Sequence, residues 1–185
     1  MLYLLCGLSF AGKSTLAREM TCRAGLVLVS LDAINAARGL AGGLGVPAAE
    51  WAVSHRIALA RTAEELARGR SVIVDDTNCF RFLRDDYREV AARHGATVMV
   101  VYLPVPAALL RARRSANDES AERPRIADEV FLDLARKFEP PGADEATLLF
   151  PSGADPARWV TENIVPALPL PGRGARRGGR GHSQD

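Results

Sequence analysis

Residues 7–15 read GLSFAGKST and follow directly on the apolar run LYLLC at positions 2–6. The stretch fits the pattern G-x-x-x-x-G-K-[ST], and a helical pattern continues from it to about position 24. This pattern forms a phosphate-binding loop when a strand precedes it and a helix follows. The four fixed positions are Gly7, Gly12, Lys13 and Ser14. The sequence therefore predicts an anion-binding turn between the first strand and the first helix.

The residue types in this loop suit the phosphates of a nucleotide. Its glycines let backbone N–H groups turn inward around an anion, and the N-terminus of the following helix adds a partial positive charge. Lys13 is expected to reach the β- and γ-phosphates, and the hydroxyl of Ser14 to ligate Mg²⁺. The predicted nucleotide-binding residues are Gly7, Leu8, Ser9, Phe10, Ala11, Gly12, Lys13, Ser14 and Thr15.

Lysine usage favours ATP over GTP as the nucleotide. The chain has two lysines, Lys13 and Lys137, against 22 arginines. An N-K-x-D element, which would bind guanine, is absent from the sequence because Lys137 lies in RKFE. We therefore expect ATP and Mg²⁺ as the cofactors.

Composition narrows the class of protein. With 185 residues, 48% hydrophobic and 25% charged, the chain suits one soluble globular domain. No apolar run approaches the roughly 18 residues of a membrane span, and LYLLC is too short for the core of a secretory signal. The three cysteines are far apart and form no CxxC pair, which argues against a metal or disulfide framework. We expect a cytoplasmic protein without a membrane partner.

Short β-like runs alternate with longer helical patterns along the chain. The run SVIVD at 71–75 has continuous apolar residues, as expected for a strand covered on both faces. The alternation predicts an α/β fold, with a parallel sheet between two helical layers. The predicted strands are 2–6, 26–30, 71–75, 97–103 and 147–150, and the main predicted helices are 14–24, 47–68, 80–94, 106–114, 127–138 and 156–165.

The chain ends in PLPGRGARRGGRGHSQD (169–185), which contains almost no apolar residues. We predict one P-loop domain over residues 1–168 and a disordered Arg/Gly-rich tail over 169–185. The tail carries four arginines and one aspartate, so the whole-chain net charge of +2 leaves residues 1–168 at about −1. This near-neutral body disfavours a nucleic acid partner, although the tail allows contacts with one.

Carboxylates follow two of the predicted strands. Asp32 comes just after the second strand, and Asp75 and Asp76 end the third. Because ligands of open parallel sheets bind beyond the carboxyl ends of the strands, these side chains are candidates for the site. Asp75 best fits the carboxylate on the Mg²⁺ side, with Asp76 as the alternative. Asp32 is placed to accept the proton of an attacking hydroxyl or to cap a short helix, and Asn78 likewise is either a site residue or a helix cap.

Residues 111–125 read RARRSANDESAERPR and concentrate arginine between the fourth strand and the next helix. Phosphoryl transfer spreads negative charge over the transferred group, so mobile guanidinium groups stabilise it there, and closure of such a segment excludes water. We predict a lid over about 111–126. The alternative is a solvated helical face, which the interspersed acidic residues favour.

Together, these features resemble P-loop kinases similar to polynucleotide kinase, chloramphenicol phosphotransferase and zeta toxins. The resemblance implies a three-layer α/β sandwich with five parallel strands in the order 2-3-1-4-5. It also implies that Asp32 positions or deprotonates an acceptor hydroxyl. The resemblance covers about residues 1–165 and is carried by GLSFAGKST, by S-L-D at 30–32, by VIVDDTN at 72–78, by the Arg-rich segment and by FEPPGADE at 138–145. The catalytic residues expected on this basis are Lys13, Asp32, Arg114 and Arg123, with Ser14 and Asp75 as metal ligands.

One position departs from the polynucleotide kinases of this group, which carry an arginine three residues after the acceptor aspartate. Here that position is Asn35, and the first arginine that follows is Arg38. We therefore predict an ATP-dependent kinase, a phosphotransferase whose acceptor is the alcohol group of a small molecule. Two alternatives remain: a polynucleotide 5′-hydroxyl kinase, and a nucleotide-dependent switch or ATPase that phosphorylates no acceptor.

Overall fold

A computed structural model describes residues 1–40, 46–120 and 128–168 of the chain. The predicted tail over 169–185, the last part of the predicted lid with Arg123, and residues 41–45 lie outside the described residues. Within the described residues, no helix is both long and apolar enough to cross a membrane.

Five parallel strands form one sheet in the order β2-β3-β1-β4-β5, which confirms the predicted topology. The strand β1 is central and buried along its whole length, as a strand with a neighbour on each side and a helical layer on each face must be. The strands are β1 (Leu2–Cys6), β2 (Val27–Ser30), β3 (Val72–Asp75), β4 (Val98–Tyr102) and β5 (Thr147–Leu149).

Seven α-helices connect these strands within the described residues, and a short 3₁₀ turn follows at Val165–Ala167. They are α1 (Lys13–Ala24), α2 (Leu31–Ala37), α3 (Ala48–Ala67), α4 (Arg81–Arg93), α5 (Ala107–Ser120), α6 (Asp128–Lys137) and α7 (Pro156–Asn163). The helix α5 extends six residues beyond its predicted end at position 114. Its sequence contains neither proline nor glycine, and its alanines, leucines and arginines favour a helix. The first part of the predicted lid is therefore helical.

Alternation along β1 divides the hydrophobic core into two layers. Tyr3 and Leu5 point to the layer that contains α1 and α7, whereas Leu2 and Leu4 point to the layer formed by α2, α3 and α4. The two sets face opposite sides because successive side chains of a strand alternate. The result is the three-layer sandwich expected from the sequence.

A buried ion pair ties α4 to the segment before β5. Arg84 and Glu145 both have fully buried side chains, and Nε and Nη2 of Arg84 each lie 2.8 Å from a carboxylate oxygen of Glu145. Nη1 of Arg84 also donates to the carbonyls of Asn78 at 2.9 Å and of Glu139 at 3.0 Å. Burial alone would raise the pKa of Glu145, but hydrogen bonds from Arg84 and from the Gly142 N–H lower it to about 2. Arg84 thus holds three chain segments together.

We expect the Glu145→Gln variant to lower the free energy of unfolding by about 3–5 kcal/mol, because it leaves the buried Arg84 without its counter-charge. Urea denaturation of the whole chain measures this loss. The matched control is Glu89→Gln, since Glu89 pairs with Arg93 on the exposed surface of the same helix. The control should stay within about 0.5 kcal/mol of the wild type. Equal losses in the two variants would contradict a structural role for the buried pair.

The same pair predicts how stability depends on pH. The folded-state pKa of Glu145 is about 2, below the ordinary value of 4.5, so ionised Glu145 stabilises the fold above the ordinary value. That contribution is lost as the pH falls from 4.5 towards 2. Urea denaturation at several pH values in this interval should show a steeper loss of stability for the wild type than for Glu145→Gln. Parallel curves would contradict this assignment.

Candidate active site

The predicted phosphate loop lies between β1 and α1, above the middle of the sheet. The Gly7 N–H donates to the carbonyl of Thr77 at 3.0 Å, so the loop starts against the segment that follows β3. A Cβ at Gly7 would lie 3.1 Å from the carbonyl oxygen of Leu103, a tight contact that the backbone of Leu103 would have to shift to relieve. Gly12 has a φ of 101°, in the left-handed region that favours glycine. The backbone therefore favours glycine at both fixed positions of the motif.

Arg113 supports this loop from the lid helix, and the sequence analysis did not single it out. Its Nη1 donates to the carbonyl of Phe10 at 3.1 Å and to that of Ala11 at 3.3 Å. Phe10 has a φ of 67°, which is uncommon for a residue with a large side chain. Arg113 therefore holds a strained turn of the phosphate loop from a position 103 residues away in the sequence. The local sequence contains no signal that separates it from Arg111 or Arg114.

Lys13 is buried at the centre of the site. Its Nζ donates to the carbonyls of Gly7 and Leu8, each at 2.9 Å. Burial lowers the pKa of Lys13, and the charges of Asp75, Asp76 and Asp32 oppose this shift. The carboxylates predicted at the ends of two strands, β2 and β3, therefore lie close enough to one amine to act on its charge.

Asp75 and Asp76 differ in their surroundings at the end of β3. Ile73 belongs to the core layer of α1, and Val72 and Val74 belong to the opposite layer. Alternation along β3 directs Asp75 towards α1, which begins with Lys13 and Ser14. Asp76 follows the end of the strand, and its charge acts on Tyr87 of α4. Asp76 accepts a hydrogen bond from the Thr77 N–H at 2.6 Å, and burial raises its pKa. This arrangement favours Asp75 for a cation held beside Ser14.

A magnesium ion suits the oxygen atoms at this position. The hydroxyl of Ser14 and the carboxylate of Asp75 are hard oxygen ligands, the kind that Mg²⁺ prefers. Across the described part of the chain, no group of three or more His, Cys, Asp or Glu side chains could hold a metal ion. Two protein oxygen ligands therefore suit an ion whose other ligands are water molecules and nucleotide phosphates. They do not suit an ion that is coordinated by protein groups alone.

Asp32 lies exposed in the first turn of α2. The cap of this helix is Ser30, whose Oγ accepts from the Ala33 N–H at 3.3 Å. The alternative in which Asp32 caps the helix is therefore wrong. Its carboxylate stays at the carboxyl end of β2, where its charge acts on both Lys13 and Asp76.

Asn78 does not cap α4, because the N-cap position is Phe80 and no side chain caps this helix. Asn78 is instead fully buried with a φ of 43°, and its Nδ2 donates to the carbonyl of Leu5 at 2.8 Å. Its own carbonyl accepts from Arg84 and, at 3.4 Å, from the thiol of Cys6. Burial raises the pKa of Cys6 to about 12, so this thiol stays protonated. Asn78 fixes the turn that carries Asp76 and Thr77.

Arg114, a predicted catalytic residue, joins the two helices of the lid region. It forms an ion pair with Asp128, and its guanidinium carbon lies 5.3 Å from the ring centre of Phe131. Arg111 is exposed on the same helix, and Arg123 lies outside the described residues. Of the described arginines in the predicted lid, Arg113 rather than Arg114 is hydrogen-bonded to the phosphate loop.

Arg38 is held by α3. Its Nη1 donates to the carbonyl of Glu50 at 2.8 Å and to the Oγ of Ser54 at 2.7 Å, and its Nη2 pairs with the carboxylate of Glu50. Ser54 in turn donates to the side chain of Asn35. A hydrogen bond to a charged group contributes on the order of 1.5 kcal/mol, so several such bonds hold this guanidinium on the protein.

A small cavity of about 70 Å³ lies beside the phosphate loop, on the β4 side. Leu8 and Ala11 of the loop line it together with Leu103, Leu110 and Phe138. The ring of Phe138 stacks on Tyr102 with centres 6.1 Å apart. This packing fixes the start of the FEPPGADE segment next to the loop.

The sheet order and the loop between β1 and α1 define a P-loop NTPase with a kinase-like α/β fold. The chain belongs to the AAA domain family, whose sequence model matches residues 2–141. No curated protein matches the chain significantly.

Solved structures share this fold at low sequence identity. A gluconokinase from Sinorhizobium meliloti 1021 is 21% identical, with a TM-score of 0.63 over 86% of this chain and 87% of that one. A sugar kinase from Janibacter sp. HTCC2649 is 19% identical, with a TM-score of 0.63 over 87% and 90%. Kti12 from Chaetomium thermophilum, in complex with ADP-AlF3, is 19% identical, with a TM-score of 0.66 over 90% and 98%. At these identities the likeness shows the fold alone.

We expect Arg113→Ala to weaken the binding of Mg·ATP about tenfold, because the carbonyls of Phe10 and Ala11 lose the donor that fixes the loop. Isothermal titration calorimetry measures the affinity. Arg111→Ala is the matched control, since Arg111 is exposed on the same helix, and it should bind as the wild type does. Equal affinities for both variants would show that Arg113 does not support the loop.

Proposed function

We propose that the protein is an ATP-dependent kinase that transfers the γ-phosphoryl group of ATP to a hydroxyl group of a small molecule. The observation that carries this proposal is the position of Asp32 directly after β2 and of Asp75 at the end of β3, at the edge of the sheet that holds the phosphate loop, where their charges act on the buried Lys13. A phosphate loop alone suits any nucleotide-binding protein. A carboxylate at the end of β2, exposed and not used as a helix cap, adds the group that an acceptor hydroxyl needs.

The donor half of the proposed site is the phosphate loop. Backbone N–H groups of residues 7–15 surround the phosphates, and the amine of Lys13 exchanges its two carbonyl partners for phosphate oxygens. Ser14 and Asp75 would hold Mg²⁺, which would neutralise charge that develops on the phosphates. Burial lowers the pKa of Lys13, and the charges of Asp75, Asp76 and Asp32 oppose this shift and favour the cation that binds the phosphates.

The acceptor half is Asp32. Its carboxylate accepts the proton of the acceptor hydroxyl while that oxygen forms a bond to the γ-phosphorus. The bond between the γ-phosphorus and the bridging oxygen of ADP breaks at the same centre, and ADP leaves with the bonding electrons. The products are ADP and a phosphate monoester, with the proton on Asp32.

The arginines of the lid region have two tasks in this proposal. Arg113 and Arg114 are positioning residues, because the first holds the phosphate loop and the second holds α5 to α6. Arg123 remains the proposed lid residue that stabilises charge on the transferred group. This assignment changes the expectation for Arg114, whose contacts are with Asp128 and Phe131.

We expect Asp32→Asn to lower phosphoryl transfer at least about 100-fold while leaving the affinity for Mg·ATP within about threefold of the wild type. The measurement is a screen of hydroxyl compounds with labelled ATP, followed by titration of the nucleotide. Asp133→Asn is the matched control, because Asp133 pairs with Lys137 on the exposed face of α6.

Full transfer by Asp32→Asn would rule out its role as the proton acceptor. Release of inorganic phosphate alone, from every compound in the screen, would instead favour an ATPase or nucleotide-dependent switch.

A further inference from the structure

A buried serine of α3 is bonded to α2, the short helix that carries Asp32. Ser54 is fully buried within α3. Its Oγ donates to Oδ1 of Asn35 and accepts from Nη1 of Arg38, the latter at 2.7 Å. Asn35 lies in the last turn of α2, and Arg38 is the residue at which the helix ends. One hydroxyl of α3 therefore joins two side chains at the carboxyl end of α2.

Further hydrogen bonds surround this contact. Nη1 of Arg38 also donates to the carbonyl of Glu50 at 2.8 Å, and Nη2 pairs with the Glu50 carboxylate. The backbone N–H groups of Arg38 and Leu40 donate to the carbonyl of Asn35 at 3.0 and 2.9 Å. Asn35 is only 5% exposed and Ser54 is 0% exposed, so water does not replace a partner that is lost there. Removing the hydroxyl of Ser54 therefore leaves the buried amide oxygen of Asn35 without its donor.

Apolar packing by itself does not fix the position of α2 along α3. Leu31 and Ile34 of α2 are buried in the core layer that also contains Ala58 of α3. Burial of apolar surface is not directional, whereas a hydrogen bond requires a defined distance and angle. The helix has seven residues, which is too short for it to be stable on its own. The bonds to Ser54 and Glu50 therefore set the position of α2 along α3.

Asp32 depends on this contact because it lies on the same short helix. It is exposed in the first turn of α2, three residues before Asn35. Residues three apart are neighbours on the surface of a helix, so a shift of α2 against α3 moves both side chains together. A displacement of about 1 Å in a reacting group can lower a rate on the order of 100-fold. A buried hydroxyl on α3 therefore bears on the rate at which Asp32 can act.

We propose that Ser54, Asn35 and Arg38 are positioning residues that hold Asp32 where an acceptor hydroxyl meets the γ-phosphate. This inference rests on the proposed kinase function and adds side chains that act through Asp32. The phosphate loop leads into α1, which packs in the opposite helical layer from α2 and α3. Loss of the Ser54 hydroxyl should therefore slow phosphoryl transfer without weakening the binding of Mg·ATP.

The first test removes one buried hydroxyl from α3 at two different places. Ser54→Ala breaks the contact with α2, whereas the control Thr62→Val removes a fully buried hydroxyl that is bonded to the Ala58 carbonyl of its own helix at 2.8 Å. Transfer is measured with labelled ATP on a panel of sugars, sugar acids, nucleosides and amino alcohols, and ATP affinity by calorimetry. We expect Ser54→Ala to lower kcat at least about tenfold with Kd for Mg·ATP within about threefold of the wild type. Thr62→Val should keep kcat within about twofold, and equal losses in the two variants would overturn the inference.

A double variant separates the positioning of Asp32 from a general loss of stability. If Ser54 acts through Asp32, Ser54→Ala should lower kcat less than about twofold in the Asp32→Asn background, because the group that it positions is already gone. Losses that multiply would overturn the inference and leave the kinase function in place. Full transfer by Asp32→Asn would instead overturn the role of Asp32. Absence of transfer to every compound by a wild type that binds ATP would overturn the kinase function and this inference with it.

Hydrogen exchange tests the link between the two helices without an acceptor. We expect amides of residues 31–40 to exchange at least about tenfold faster in Ser54→Ala than in the wild type or in Thr62→Val. Arg38→Gln is a second variant at a position with 21% of its side chain exposed, so the fold should tolerate it, and the same faster exchange and lower kcat are expected. Wild-type exchange over 31–40 in both Ser54→Ala and Arg38→Gln would overturn the inference.

Discussion

The buried guanidinium of Arg84 is the interaction on which the geometry of the site depends. It neutralises Glu145 and at the same time donates to the carbonyl of Asn78, which lies in the turn after β3. Asn78 is itself bonded to the end of β1 through Leu5, directly before the phosphate loop. One charged group therefore holds together the segment before β5, the turn that carries Asp76, and the strand that leads into the loop. Desolvating this group is costly, so the arrangement is stable only with every partner in place.

Above this network, a single buried amine brings the functional carboxylates together. Lys13 lies where the carboxyl ends of β1, β2 and β3 meet, and burial disfavours its charge. Asp75, Asp76 and Asp32 oppose that effect, and they come from two different strand ends. The charges of the donor and acceptor halves thus depend on one another even without a ligand. A nucleotide that withdraws the amine towards its phosphates also changes the field at Asp32 and Asp76.

The sequence predicted those parts of the molecule that depend on local patterns. The residues and the family resemblance predicted the strands, the helix after each strand, the loop motif and the strand order. Such features can be predicted because strand periodicity and turn chemistry are encoded over a few positions. The role of Arg113 was not predictable, because its contact with the loop spans 103 positions. Arg84 and Glu145 are 61 positions apart in the sequence, and their burial depends on the segment that surrounds them. Serine and aspartate are both good helix caps, so the sequence does not decide between Ser30 and Asp32. The hydrogen bond from the Ala33 N–H to the Oγ of Ser30 identifies Ser30 as the cap of α2.

Arginine content is a poor guide to the positive charge that a site offers. The chain has 22 arginines, yet Arg38, Arg81 and Arg84, which follow β2 and β3, are paired with Glu50, Asp144 and Glu145. A paired guanidinium still has a formal charge, but its field is largely cancelled a few ångströms away by the neighbouring carboxylate. Asp75, Asp76 and Asp32 all act on the charge of Lys13, so a further cation placed beside them would oppose the charge of the amine that binds the donor.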